Sequence, residues 1–286
     1  MRLQVIPAES RNAACPSRSL PHVAGARLAG ALVALGAAML TGCAAGGGGS
    51  TGDRFGRTYY IDGAGNWGYG VADVYNGLRA AGYRGSIINY RWSPTFNPAL
   101  DQTIGRPVAR QKGVELGREI TAYLQRYPDA QVNIICLSAG TGVGVWACEN
   151  LTPPATVHSL VMLGSSLASN YDMRKALANI SGGVYVYHSQ ADGILQGPVR
   201  TLGTIDGQMG VDAAGLVGLH PPGGGQGKIH NIRWSSRYER YGWTGAHTDA
   251  TSEPFVRAVL AQHILPPASA APAVSSAAAT RSRTGG

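Results

Sequence analysis

Apolar positions along the chain fall into two alternating patterns. Six short runs, RTYYID (57–62), GSIINYRW (85–92), QVNIICL (131–137), HSLVMLG (158–164), GVYVYHS (183–189) and KIHNIRW (228–234), are rich in Ile, Val and Tyr. They predict strands. Between them, VADVYNGLRAAG (71–82), ARQKGVELGREITAYLQRY (109–127) and GTGVGVWACENL (140–151) carry apolar residues at helical spacing and predict helices. A last helix is expected over SEPFVRAVLAQHIL (252–265), with Ser252 as its N-cap and Pro254 in its first turn. Strands alternating with helices need crossover connections. The expected fold is therefore α/β, with a mostly parallel central sheet and helices on both faces. Such sheets bind ligands at the carboxyl ends of their strands, so chemistry is sought there.

The ends follow other rules. Arg27 precedes LAGALVALGAAML (28–40), and Leu40-Thr41-Gly42-Cys43 follows. A basic residue, a short apolar core and small residues before a cut site describe a secretory signal over residues 1–42. The L-T-G-C ending resembles the lipobox of bacterial lipoproteins, which implies that Cys43 is lipidated and ties the chain to a membrane. With Ala44 next rather than Asp, the outer membrane is the expected address in a Gram-negative cell. Residues 43–57 include AAGGGGS (44–50) and read as a flexible tether. Residues 266–286 are small, Pro/Ala/Ser-rich and aperiodic, as expected of a disordered tail. Residues 58–265 remain for one domain.

Charge excludes more than it assigns. The chain has 24 Lys and Arg against 16 Asp and Glu, a net +8, and the signal alone holds four of the basic residues and one acid. No basic cluster alternates with aromatics, so a nucleic-acid partner is not expected. No His, Cys, Asp or Glu group has metal-ligand spacing, so neither a metal nor another cofactor is expected. No obligate protein partner is evident. Cys136 and Cys148 are expected as separate buried thiols, since a helix running back from the strand end carries the second away from the first.

The strand QVNIICL runs straight into Ser138-Ala139-Gly140-Thr141-Gly142 and a helix. Strand, small-x-Ser-x-small, helix is the layout of a nucleophile elbow, with Cys136 and Gly140 as the small flanks. In that turn the serine hydroxyl stands above the sheet, where the Ala139 N–H and the helix dipole can stabilise an oxyanion. The pattern resembles the α/β-hydrolase family over most of 58–265, with Cys136 where glycine is usual. The resemblance implies an α/β-hydrolase fold and a serine hydrolase that acts on a small ester through a Ser-His-Asp triad. Its order along the chain is serine, acid, histidine. Asp192, just past GVYVYHS, is then the acid, ahead of Asp172 and Asp206, which follow no clear strand. His247, in WTGAHTD between KIHNIRW and the last helix, is the base. His158, His220, His230 and His263 read as structural, and His188 as structural or supporting.

YYIDGAGNWGYG (59–70) raises a separate question, because Gly63, Gly65 and Gly68 spell G-x-G-x-x-G. In a dinucleotide fold an acid should follow about 20 residues on, but the next strand ends in Asn89-Tyr90-Arg91-Trp92. In the hydrolase reading the loop supplies the second oxyanion donor, the N–H of Ala64 or else Gly65. Asn66 and Trp67 are then expected beside the substrate. PPGGGQGK (221–228) fails as a phosphate loop, with Pro222 at the first glycine position and Ile229 after Lys228. Residues 196–227 form a Gly/Pro-rich insert, a candidate cap or a surface excursion. Tyr171, Met173, Leu195, Met209 and Leu219 are candidate pocket walls. The competing readings are a non-catalytic hydrolase-like binding protein at the cell envelope and a dinucleotide-dependent oxidoreductase.

Overall fold

A computed structural model describes residues 52–93, 95–225 and 227–265. The expected signal, Cys43 and the tail lie outside the described residues. Six strands, β1 (Arg57–Ile61), β2 (Ser86–Asn89), β3 (Val132–Leu137), β4 (Val157–Leu163), β5 (Ile180–His188) and β6 (Ile229–Arg233), form one sheet in the order β2-β1-β3-β4-β5-β6. Every neighbouring pair is parallel. The fold is α/β, and each strand-like run of the sequence overlaps one of these strands, with β4 starting one residue and β5 three residues before its run.

Residues alternate between two cores along each strand, as the pleat requires. Tyr59, Ile134, Cys136, Leu160 and Met162 pack on one face with Leu116 and Ile120 of α3 (Arg106–Arg126) and Val143 of α4 (Gly140–Glu149). Tyr60, Ile135, Leu137, Val161 and Leu163 pack on the other with Val74 and Leu78 of α1 (Val71–Ala80) and Phe255 and Leu260 near the C-terminus. Helices thus cover both faces, and the central strands β1, β3 and β4 are almost fully buried, whereas the edge strand β6 is half-buried to exposed.

Three local expectations need correction, and two elements were not expected. The C-terminal segment is not one α-helix but a short α turn (Glu253–Phe255), a π stretch (Val256–Leu260) and a 3₁₀ turn (Ala261–His263). Ser252 occupies the N-cap position without capping, because its hydroxyl donates instead to the Tyr241 carbonyl at 3.1 Å. The tether ends earlier than residue 57. Asp53 is buried, binds the Arg57 guanidinium at 2.8 Å and receives the Tyr123 hydroxyl on its carbonyl at 2.5 Å. Two short helices, α2 (Pro98–Gln102) and α5 (Arg174–Ala178), have no counterpart in the sequence reading.

The strand order reverses between β1 and β3. From β1 the chain moves outward to β2, then crosses back to β3 on the other side. A crevice opens at the carboxyl ends flanking such a switch point. Residues 62–64 leave β1 there, and Ser138 leaves β3.

Candidate active site

Ser138 is the first residue past β3 and has φ of 51°, a left-handed conformation that costs a non-glycine residue about 1–3 kcal/mol. The turn is held from several sides. The Ser138 N–H donates to the Leu163 carbonyl at 2.9 Å, and the Ser138 carbonyl accepts from Thr141 Oγ1 at 2.5 Å. Close packing explains the small neighbours. A Cβ on Gly140 would lie 2.4 Å from the Asp62 carbonyl oxygen, and one on Gly63 would lie 3.1 Å from Ser138 Cβ. Cys136 fits because α4 presents Gly144 opposite it, and its thiol donates to the Val161 carbonyl at 3.3 Å. Cys136 and Cys148 are both buried and unpaired, and burial pushes both thiols well above their ordinary range.

Asp192 follows β5 by a four-residue step and is 2 % exposed. Its two oxygens do different work. Oδ1 accepts the N–H groups of Ile194 and Leu195, both at 3.1 Å, as an acid at the start of a helical turn does. Oδ2 lies 2.7 Å from His247 Nδ1. A carboxylate only accepts, so Nδ1 carries a hydrogen, and in the neutral ring Nε2 is left as the acceptor. Gly164, after β4, makes room for this pair: a Cβ there would lie 3.1 Å from His247 Nδ1 and 3.3 Å from Asp192 Oδ2. Nothing in the sequence pattern singled out Gly164.

Ser138 and His247 line one cavity of about 680 Å³, together with Gly63, Ala64 and Trp67. No hydrogen bond joins Ser138 to His247; between a nucleophile and its base such a bond commonly tightens only in the substrate complex. Carbon-rich walls come from Leu137, Ile194, Pro198, Val199 and Leu202. Among the described residues, no Asp, Glu, Lys or Arg lines the cavity. Trp67 is 56 % exposed at the mouth and donates its indole N–H to the Phe96 carbonyl at 2.9 Å. Asn66 stands outside the lining, with its amide turned to the Ser93 carbonyl at 3.1 Å.

The glycine loop meets negative charge, and the charge is the protein's own. Asp62 accepts the N–H of Gly63 on Oδ1 and that of Gly68 on Oδ2, each at 2.7 Å. Burial pushes the Asp62 carboxyl up, and these N–H bonds together with one from Tyr69 oppose the rise. Asp101 of α2 accepts the N–H of Gly65 at 2.6 Å. All three fingerprint N–H groups are therefore spent, and two carboxylates stand where a pyrophosphate would have to lie. The dinucleotide reading has no site in this loop. Gly65 is likewise committed, whereas the N–H groups of Ala64 and Ala139 donate to nothing among the described residues.

The remaining candidates have ordinary partners. His188 contacts the Leu216 carbonyl through Nδ1 at 3.3 Å, and burial lowers its pKa. His263 Nε2 pairs with the Tyr187 hydroxyl at 2.9 Å, its ring stacked on Tyr185 with centroids 3.7 Å apart. Of the five guessed wall residues, none lines the cavity. Tyr171, for example, donates to Glu149 at 2.8 Å, and Met173 and Leu219 belong to the core. The insert 196–227 supplies wall residues early and then ties itself to the sheet end. The Ile205 N–H donates to the Ser166 carbonyl at 3.0 Å, and the Gly215 N–H to the Ser165 carbonyl at 2.8 Å.

A scan against protein-family models finds no match, and no curated protein matches the sequence. Solved structures do. A Trichoderma reesei cutinase in complex with a phosphonate inhibitor is 19% identical, with TM-score 0.37; the match covers 51% of this chain and 65% of that one. A dienelactone hydrolase from Anabaena variabilis is 18% identical, with TM-score 0.38; the match covers 72% and 82%. The chain thus spans 65% of the cutinase's length.

Proposed function

We propose that the protein is a serine hydrolase acting on neutral carboxylic esters. The reading rests on one observation above others. His247 is oriented by Asp192 at 2.7 Å, and it shares a cavity with a serine held at positive φ. In this reading Ser138 Oγ attacks the ester carbonyl while His247 Nε2 takes its proton, and Asp192 steadies the imidazolium. The carbonyl oxygen becomes an oxyanion facing the N–H groups of Ala64 and Ala139 at the start of α4. His247 returns the proton to the departing alcohol, and water repeats the sequence on the acyl-enzyme to release acid. The uncharged, carbon-rich walls favour a neutral substrate with an apolar acyl or alcohol group.

Fluorophosphonate labelling followed by peptide mapping tests the reading. Label should sit on Ser138 and vanish in Ser138→Ala. An intact, unlabelled fold without activity on any ester would make this a binding protein instead.

We also propose that Cys43 is lipidated and anchors the protein to the cell envelope, as its L-T-G-C context suggests. Acyl chains on one cysteine suffice for stable attachment when there are two or more. Wild type should partition with membranes and Cys43→Ala should lose its lipid; a mature N-terminus elsewhere would refute this.

A further inference from the structure

Asp101 is the least expected residue near the site. It is fully buried in α2, and its three partners are neutral donors: Gly65 N–H at 2.6 Å and the Ser93 hydroxyl on Oδ2, and the Thr95 hydroxyl at 2.6 Å on Oδ1. Burying a carboxylate costs several kcal/mol unless its hydrogen bonds return the loss. An asparagine could accept the same loop N–H without the charge. The charge adds a shorter and stronger bond, roughly twice that of a neutral pair.

The position of that bond matters. The N–H of Gly63 belongs to the peptide before the one carrying the Ala64 N–H, and the N–H of Gly65 to the peptide after it. Asp62 clamps the first and Asp101 the second. The intervening peptide is fixed from both sides, with its own N–H left unclaimed. Gly63 brings the loop against Ser138, where even a Cβ would lie 3.1 Å from the serine's own Cβ. The Trp92 indole adds a further tie, donating to the Asp62 carbonyl at 2.8 Å.

We infer that Asp101 is a positioning residue for ester hydrolysis, holding the Ala64 N–H in the orientation that meets the developing oxyanion. The inference rests on the serine-hydrolase reading above. It separates from a merely structural role because an oxyanion donor acts on the transition state and hardly on the bound ester. Losing one such donor outright costs about 10²–10³ in kcat, so loosening it should cost less.

The test compares wild type, Asp101→Asn and Asp101→Ala on a soluble aryl ester and with an aryl boronic acid. The boronic acid bonds to the serine oxygen and places a tetrahedral oxygen where the oxyanion would form. Asp101→Asn should lower kcat about fivefold and Asp101→Ala about thirtyfold, both with KM within about threefold of wild type. Boronate affinity should fall by the same factors as kcat. If Asp101→Ala does not fold, the split between KM and boronate affinity in Asp101→Asn decides alone. Unchanged kcat in Asp101→Asn, or a loss carried by KM with boronate affinity intact, overturns the positioning role while wild-type turnover stands. A wild type that neither hydrolyses esters nor binds the boronate overturns both readings.

Discussion

Replacing Gly140 with alanine probes how tightly the serine turn is built against β1. The added Cβ would lie 2.4 Å from the Asp62 carbonyl oxygen and 2.7 Å from that of Ile61. Both are backbone atoms of a central strand end and cannot rotate away. Forced overpacking of this kind costs about 1–3 kcal/mol, and two rigid contacts put it at the upper end. Alanine returns up to about 1 kcal/mol through helix propensity in the first turn of α4. The net expectation is a loss of about 2 kcal/mol, or a Tm lower by about 4–8 °C for a domain of this size. Gly144→Ala is the control. Its Cβ would meet only side chains, Cys136 Sγ at 3.2 Å, Ile134 at 3.3 Å and Leu160 at 3.4 Å, so crowding and propensity nearly cancel. Thermal and denaturant unfolding of both variants measure the difference. Ester turnover well below Tm should also fall in Gly140→Ala, since the β1 end that it displaces carries Ala64. Equal stability losses in the two variants, or a Gly140→Ala protein as active and stable as wild type, would refute the packing argument.

Ser138→Ala and His247→Ala should each reduce ester turnover by about 10⁴-fold or more, and the double variant should be no worse than either, because the groups act as a unit; additive losses in kcat/KM would contradict this. Val199→Trp should narrow the cavity, lowering kcat/KM for a hexanoyl ester about tenfold or more while leaving the acetyl ester within about threefold, measured on aryl esters of graded length. Acid should weaken the fold through His263, whose pKa burial pushes from 6.5 down to about 4, with His230 adding to the fall. Its contribution is complete above pH 6.5 and lost as pH falls toward about 4, because the unfolded ring takes a proton first; the ceiling is about 3 kcal/mol, cut to about 2 by partial exposure. Denaturant titrations should show a shallower loss over that range in His263→Phe, and parallel curves would defeat the assignment.

The central strand-like runs needed only local pattern to be seen, because a parallel sheet buried on both faces leaves near-continuous apolar stretches such as those of β3 and β4. The pairing of Asp192 with His247, in a cavity that Ser138 also lines, was legible for a related reason, each residue standing just beyond or between such elements. Asp101 was not. It lies 36 positions from its partner Gly65, and only tertiary folding brings α2 to the loop. The start of α2 carried a readable signal in Asn97-Pro98, where Asn97 Oδ1 accepts from Ala99 and Leu100 at 3.0 and 3.2 Å. The glycine fingerprint is ambiguous for a physical reason as well. Backbone N–H groups that suit a phosphate suit a carboxylate equally, and the sequence pattern does not say whose anion fills the cradle. Asn66 looked like a pocket residue by adjacency, yet its φ of 45° turns it away from its neighbour Trp67 and toward Ser93.

The order of the strands also governs when the site comes into being. Parallel neighbours cannot pair until the crossover between them is complete, and such distant contacts form late and slowly. The serine turn sits between β3 and α4, but its histidine lies beyond β6. While a nascent chain leaves the ribosome, everything through Asp192 can be in place with the pocket still lacking His247. In the serine-hydrolase reading, a chain that has not yet added residue 247 lacks its base, so reactivity waits for the segment beyond β6.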